Sequence, residues 1–176
     1  CVHGARELAG TTVTVNSLFQ EILKDRPFYD NSGGGVTFSG GEPLLQPDFL
    51  VEVLQRCKAS GIHTAVETAG NVSWEVFTQV LPYVDLFLWD VKESDSARHK
   101  AFTGVSNEKI LENLYRLNAA QARIILRCPI IPGCNDCEDH FLFIARLAEE
   151  LSGVRQVDIE PYHPLGKPKS ESLGER

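Results

Sequence analysis

Short apolar runs alternate along the chain with longer stretches in which apolar residues recur every three or four positions. Five of the short runs are nearly continuous in Val, Ile, Leu and Phe, which is typical of strands buried on both faces of a parallel sheet. We predict these strands at residues 36–38, 62–67, 84–90, 123–128 and 154–159, and a shorter strand at 13–15.

The longer stretches predict amphipathic helices. Asn16 opens the first, which Pro27 should end, and residues 29–35 are polar and glycine-rich, as in a loop. Pro47 suits the first turn of the next helix, and Ser73 is a predicted N-cap. Further helices are predicted at 95–102, from residue 106, and at 141–151.

Five alternations of strand and helix predict an α/β domain with a parallel sheet covered by helices. Five such units cannot close an eight-stranded barrel, so the pattern leaves an open α/β sheet and an incomplete barrel as alternatives. The 176 residues, 43% of them hydrophobic, suffice for one domain with a sizeable core.

Each predicted strand ends by changing from apolar residues to charged or hydrogen-bonding ones. The carboxyl ends of parallel strands meet at one edge of the sheet, and ligands bind there in α/β proteins. We therefore expect one site built from Ser39, Gly40, Gly41, Glu42, Glu67, Thr68, Asp90, Lys92, Arg127, Glu160, Tyr162 and His163.

The phrase Ser39-Gly40-Gly41-Glu42 directly follows the strand at 36–38. Two glycines let the backbone expose bare amide groups, and a carboxylate adds a fixed negative charge. Such a loop suits a ligand with both signs of charge, such as an amino acid. The alternative is a tight turn in which the glycines serve geometry alone.

Two further strand ends carry paired polar groups. Glu67 and Thr68 suit either a cap of the next turn or a site for a cation or ammonium group. Asp90 and Lys92 are two residues apart and so face one side of the strand. They predict either a salt bridge or a charged ligand site at the end of a buried run, where unpaired charge is costly.

Arg127 interrupts an apolar run and needs an anionic partner, which Glu160, Glu67 or a ligand would supply. His163 lies between prolines that stiffen its loop. A histidine in such a loop is either an ordinary hydrogen-bonding residue or a ligand contact.

Composition narrows the class of protein. The net charge of −7 argues against a nucleic-acid partner, and no apolar run approaches the length of a membrane span. Five cysteines do not resemble a disulfide framework, which favours the cytoplasm. Cys134 and Cys137 are expected to be surface thiols; the alternatives are a redox pair or, together with Cys128, a metal site.

The phrase T-F-S-G-G-E-P-L-L-Q at 37–46 resembles the second motif of the radical S-adenosylmethionine (SAM) enzymes. From Cys1 to about Lys169 the chain resembles the activating enzymes of glycyl radical enzymes, such as the pyruvate formate-lyase activating enzyme. The resemblance implies a partial (β/α) barrel of six units, with about five present here.

The resemblance also implies roles for the site. The glycine-rich segment, from Ser39 to Glu42, would bind the methionyl part of SAM. Glu67, Thr68 and Asp90 would bind a monovalent cation beside SAM. Lys92 would contact both SAM and the substrate peptide and is the implied catalytic residue. Arg127 and His163 would contact SAM.

The implied reaction is reductive cleavage of SAM to a 5′-deoxyadenosyl radical that takes hydrogen from a glycine of a partner glycyl radical enzyme. It needs a [4Fe–4S] cluster on a C-x3-C-x2-C loop, a spacing that the 176 residues do not contain, and flavodoxin or ferredoxin as electron donor. The chain has no methionine, so we expect a fragment.

Cys1 opens C-V-H-G-A, which resembles the close of a ferredoxin-type cluster run and implies additional clusters upstream. The expected domains are a remnant of a ferredoxin-like insert at 1–15, the partial barrel at 16–169 and a loose tail at 170–176. Two alternatives stay open: a non-catalytic module that binds SAM or the glycyl loop, and a barrel lyase that uses Lys92 as a Schiff-base amine.

Overall fold

A computed structural model describes residues 10–162 and contains a five-stranded sheet. All neighbouring strands are parallel, and their spatial order follows the sequence. This order is that of (β/α) barrels, since the order of a doubly wound sheet reverses at a switch point. The strands are β1 (Gly35–Phe38), β2 (His63–Thr68), β3 (Leu86–Asp90), β4 (Ile124–Ile130) and β5 (Val154–Pro161).

The described part of the chain contains seven α-helices and two short 3-10 helices; the first two α-helices precede β1, and the other helices lie between successive strands. The α-helices are α1 (Val15–Lys24), α2 (Arg26–Ser32), α3 (Pro47–Ala59), α4 (Trp74–Val80), α5 (Ser96–Thr103), α6 (Glu108–Ala119) and α7 (Glu138–Glu150). The 3-10 helices are Pro43–Leu45 and Leu81–Tyr83. None of the helices within residues 10–162 is long and apolar enough to cross a bilayer.

The first thirty described residues depart from two predictions. The strand at 13–15 is wrong, because Thr14 caps α1 instead: its Oγ1 accepts a 3.1 Å hydrogen bond from the amide of Ser17. Pro27 does not lead into a loop but lies in the first turn of α2, where its missing amide hydrogen costs nothing. Gly33, with φ of +67°, ends that helix.

The main core lies between the sheet and the helices and is built from large aliphatic and aromatic side chains. Phe77 and Trp89 are fully buried, with ring centroids 5.7 Å apart. Gly70 lies directly on the Trp89 ring, and a Cβ added there would come within 2.2 Å of a ring carbon. The glycine therefore lets the loop after β2 pack closely against the core.

Candidate functional site

The expected side chains meet at the carboxyl edge of the sheet. Residues from Ser39 to Glu42 follow β1, Glu67 and Thr68 end β2, and Asp90 ends β3 opposite Arg127 of β4. Lys92 follows β3, and Glu160 lies near the end of β5. Two expected site residues, His163 and Cys1, lie outside the described residues, as does the tail at 170–176.

The Glu42 carboxylate ties the glycine loop to β2. Both of its oxygens lie 2.9 Å from the Thr68 hydroxyl, and it accepts hydrogen bonds from the amides of Ala69 (3.0 Å) and Leu44 (3.2 Å). Gly40 has φ of +127° and lies in open space. The loop is thus held at its glutamate, while its glycines face outward.

Arg127 pairs with both Glu67 and Glu160, the two carboxylates that the sequence offered as alternative partners. Its guanidinium forms an ion pair with Glu67 and contacts Glu160 Oε1 from Nε (2.7 Å) and Nη2 (2.6 Å). The Ser39 hydroxyl donates a 2.9 Å hydrogen bond to the other oxygen of Glu67. One network therefore joins the ends of β1, β2, β4 and β5.

Asp90 lies in the middle of this edge, and its Oδ2 is 3.4 Å from Lys92 Nζ. Burial raises the pKa of Asp90 above its ordinary value, Lys92 opposes that rise, and the nearby Glu67 adds to it. Asp90 is therefore incompletely neutralised by its surroundings, so a bound cation would stabilise its charged form.

Two cavities adjoin Lys92. The first, of about 300 Å³, is lined by Glu42, Asn71 and Asp90 among others. The second, of about 530 Å³, has Phe102 and Ile131 in its wall. Lys92 and Thr103 line both, so the two cavities are neighbours at these residues.

Three buried asparagines fix the loops around this edge, and the sequence reasoning missed them. Each side-chain amide donates to two backbone carbonyl oxygens at 2.7–3.1 Å. The pairs are Asn107 with Glu93 and Ser94, Asn113 with Gly70 and Val72, and Asn135 with Lys92 and Pro129. Asn113 left a signal in the sequence, since it lies on the apolar face of α6.

The loop after β4 carries the thiols. Cys134 and Cys137 are free and partly exposed, as predicted, and the Arg98 guanidinium lies 3.8 Å from Cys137 Sγ. Cys128 is buried, which raises its thiol pKa to about 12. Within residues 10–162 no three His, Cys, Asp or Glu side chains converge on a metal position, so the cysteine-cluster alternative is wrong.

Comparison with known proteins agrees with this architecture. The family model described as the radical SAM superfamily matches residues 5–144. The choline trimethylamine-lyase activating enzyme of Oleidesulfovibrio alaskensis is 43% identical over 97% of this chain and 56% of its own length. The trans-4-hydroxy-L-proline dehydratase activating enzyme of Clostridioides difficile is 42% identical over 98% of this chain and 58% of its own.

Solved structures show the same fold. A crystallised domain of the pyruvate-formate lyase-activating enzyme from Bacteroides vulgatus matches with a TM-score of 0.68 at 36% identity, covering 80% of this chain and 91% of that domain. Streptococcus suis SuiB bound to S-adenosylmethionine matches with a TM-score of 0.70 over 91% of this chain and 36% of its own, but at 13% identity that likeness concerns the fold alone.

The chain spans about half the length of the curated relatives that it matches. The sheet of five parallel strands in sequential order is the partial barrel that the resemblance implied. The chain belongs to the radical SAM superfamily and, within it, to the activating enzymes of glycyl radical enzymes.

Proposed function

We propose that this chain forms the SAM-binding and partner-facing part of a glycyl radical enzyme activating enzyme. The observation that carries the proposal is the convergence of the open glycine loop, the Asp90–Lys92 pair and the Arg127 network on one edge of the sheet. The match to activating enzymes over nearly the whole chain supports the same conclusion.

The charges of this edge fit a zwitterionic sulfonium ligand. Among the described residues of this edge, carboxylates outnumber cationic groups. Arg127 is already engaged by Glu67 and Glu160, while Lys92 is the one ion-pair partner of Asp90 within residues 10–162. The ammonium and sulfonium charges of SAM would offset this excess. A monovalent cation at Glu67, Thr68 and Asp90 would do so further.

We assign the binding roles along the edge accordingly. The exposed amides of Gly40 and Gly41, with Ser39 and Glu42 beside them, would hold the methionyl end of SAM. Arg127 would bind the carboxylate of SAM after either Glu67 or Glu160 moves away from its guanidinium group. Of the expected SAM contacts, His163 follows the last described residue.

The residues of the described range do not supply the iron–sulfur cluster, because no metal-ligating group of three forms among them. In the complete protein, a [4Fe–4S] cluster on a C-x3-C-x2-C loop would supply the electron that cleaves SAM into methionine and a 5′-deoxyadenosyl radical. Additional ferredoxin-type clusters, with Cys1 as one ligand, belong to the same proposal.

The partner would approach from the second cavity. Phe102 and Ile131 expose apolar surface in its wall, and Lys92 and Thr103 line both this cavity and the first one. A glycine-bearing loop of a glycyl radical enzyme would enter here and meet SAM at Lys92. We place this reaction in the cytoplasm, with flavodoxin or ferredoxin as electron donor.

The test uses the full-length protein, reconstituted anaerobically with iron and sulfide. With reductant and a matching glycyl radical enzyme, we expect 5′-deoxyadenosine and a glycyl radical detectable by electron paramagnetic resonance. Asp90→Asn and Lys92→Ala should lose most of this activity, whereas exchange of the exposed Glu52 for alanine should not. A protein that binds SAM but never cleaves it would contradict the proposal and leave a binding module.

A further inference from the structure

Asn135 lies at the junction of the two strands that bear Asp90 and Arg127. Its side chain is only 3% exposed, although it belongs to an irregular loop between β4 and α7. Its amide nitrogen donates to the carbonyl oxygens of Lys92 (2.7 Å) and Pro129 (2.8 Å). Its amide oxygen accepts from the backbone amide of Ile131 (2.7 Å).

These three bonds use the amide group almost completely. Two donors and one acceptor are required at fixed positions, and an aspartate of the same shape offers no donor unless it is protonated. The Lys92 carbonyl is thereby tied to the end of β4. On the other side of the same segment, Asn107 holds the carbonyls of Glu93 and Ser94. The backbone that carries Lys92 is thus fixed from two directions.

We infer that Asn135 is a positioning residue for Lys92, which it holds so that the ammonium group lies at the distance from Asp90 that the structure shows. The inference rests on the proposed function for its catalytic consequence but not for its geometric one. The side-chain hydrogen bonds of Asn135 go to Lys92, Pro129 and Ile131 and not to the glycine loop. Its loss should therefore disturb Lys92 while leaving the methionyl end of SAM in place.

The chain offers a matched control. Asn113 is equally buried, at 3% exposed, and also donates to two loop carbonyls, at 2.9 Å each. Those carbonyls belong to Gly70 and Val72 after β2, away from the Lys92 backbone. Lys58 serves as an internal reference, since it is ion-paired with Asp85 and is similarly exposed.

The first experiment measures the acetylation rate of Lys92 relative to Lys58 by mass spectrometry, in the protein without SAM. An ion-paired ammonium group is less available to an acylating reagent than a free one. We expect the ratio to rise at least twofold in Asn135→Ala and Asn135→Asp, and to stay unchanged in Asn113→Ala. Should Asn135→Ala not fold, Asn135→Ser takes its place. A smaller rise, or an equal rise in Asn113→Ala, overturns the inference.

The second experiment uses the full-length, cluster-loaded protein with SAM and its partner. Asn135→Asp should lower kcat for glycyl radical formation at least fivefold while the KM for SAM changes less than threefold. A smaller loss of kcat, or a larger change in that KM, overturns the catalytic part. If the unsubstituted protein cleaves no SAM, the proposed function fails, and the acetylation result still decides the geometric inference.

Discussion

Removal of the Glu42 carboxylate tests whether this group holds the glycine loop in its binding shape. Glu42 is the point at which the loop after β1 is attached to the end of β2, through Thr68 and Ala69. In Glu42→Ala the hydroxyl of Thr68, which is 2% exposed, and the Ala69 amide lose their acceptor. Of the side-chain bonds between the loop and β2, the one from the Ser39 hydroxyl to Glu67 would remain.

The size of the effect follows from the number and kind of these bonds. A hydrogen bond to a charged acceptor contributes about 1.5–3 kcal/mol, and a buried donor left without a partner costs about 1–3 kcal/mol. Glu42 is half-buried, so water replaces part of the loss, and we expect Glu42→Ala to lower the free energy of unfolding by about 2–4 kcal/mol. A domain of ordinary stability, about 5–15 kcal/mol, stays folded after this change.

Two measurements check the prediction. Urea denaturation gives the change in unfolding free energy, and calorimetry gives the SAM affinity, which should fall about tenfold or more, equivalent to 1.4 kcal/mol. Glu52→Ala removes an exposed carboxylate that pairs with Arg56 on α3, and it should cost less than about 0.5 kcal/mol. It provides the matched control.

A double-mutant cycle with Thr68→Val isolates the clamp itself. Because the two groups are in direct contact, their coupling energy should be about 1–2 kcal/mol. A coupling below about 0.3 kcal/mol, or a SAM affinity that Glu42→Ala leaves unchanged, would refute the reasoning.

Two further substitutions and one labelling experiment test other parts of the structure. Gly70→Ala places a methyl group against Trp89 at φ of +78°, so the loop must move, and urea denaturation should show a loss of about 2–4 kcal/mol. The pKa of Asp90 is raised in the folded state, so its charge destabilises the fold as pH rises past the ordinary aspartate pKa of 3.8. Asp90→Asn should therefore unfold at a higher urea concentration than the parent at pH 7. At pH 3, where the carboxyl group is largely protonated, the substitution should give no such gain. Iodoacetamide at pH 8 should label Cys134 but not the buried Cys128 in the native protein, as peptide mass mapping would show; equal labelling would contradict the structure.

Local sequence patterns were sufficient to predict most of the helices and strands, and to predict that polar residues at the strand ends lie at one edge of the sheet. The apolar runs that end at Phe38, Thr68 and Asp90 are strands because continuous β-branched and aliphatic residues fit a sheet covered on both faces. Their direction follows from the helices between them, since parallel neighbours need a crossover. A polar residue after each run must then lie at the same edge.

Errors arose where a short signal had two structural interpretations. Val13 to Val15 has the composition of a strand, yet Thr14 is also a good N-cap, and the apolar contacts of α1 with α3 favoured the helix. Pro27 stops one helix and suits the first turn of another, and only packing chose the second role.

The sequence by itself determined the α/β class and the edge of the sheet at which the polar strand ends meet, because both depend on periodicity and on where each strand ends. The pattern left an open sheet and an incomplete barrel as alternatives, and the spatial order of the strands decided between them. Only the tertiary structure decided which carboxylate pairs with which cationic group at this edge. Arg127 pairs with both Glu67 and Glu160, Asp90 pairs with Lys92, and Asn135 holds the Lys92 backbone. Pairing of this kind depends on distances between residues far apart in the chain, on which local propensity has no bearing.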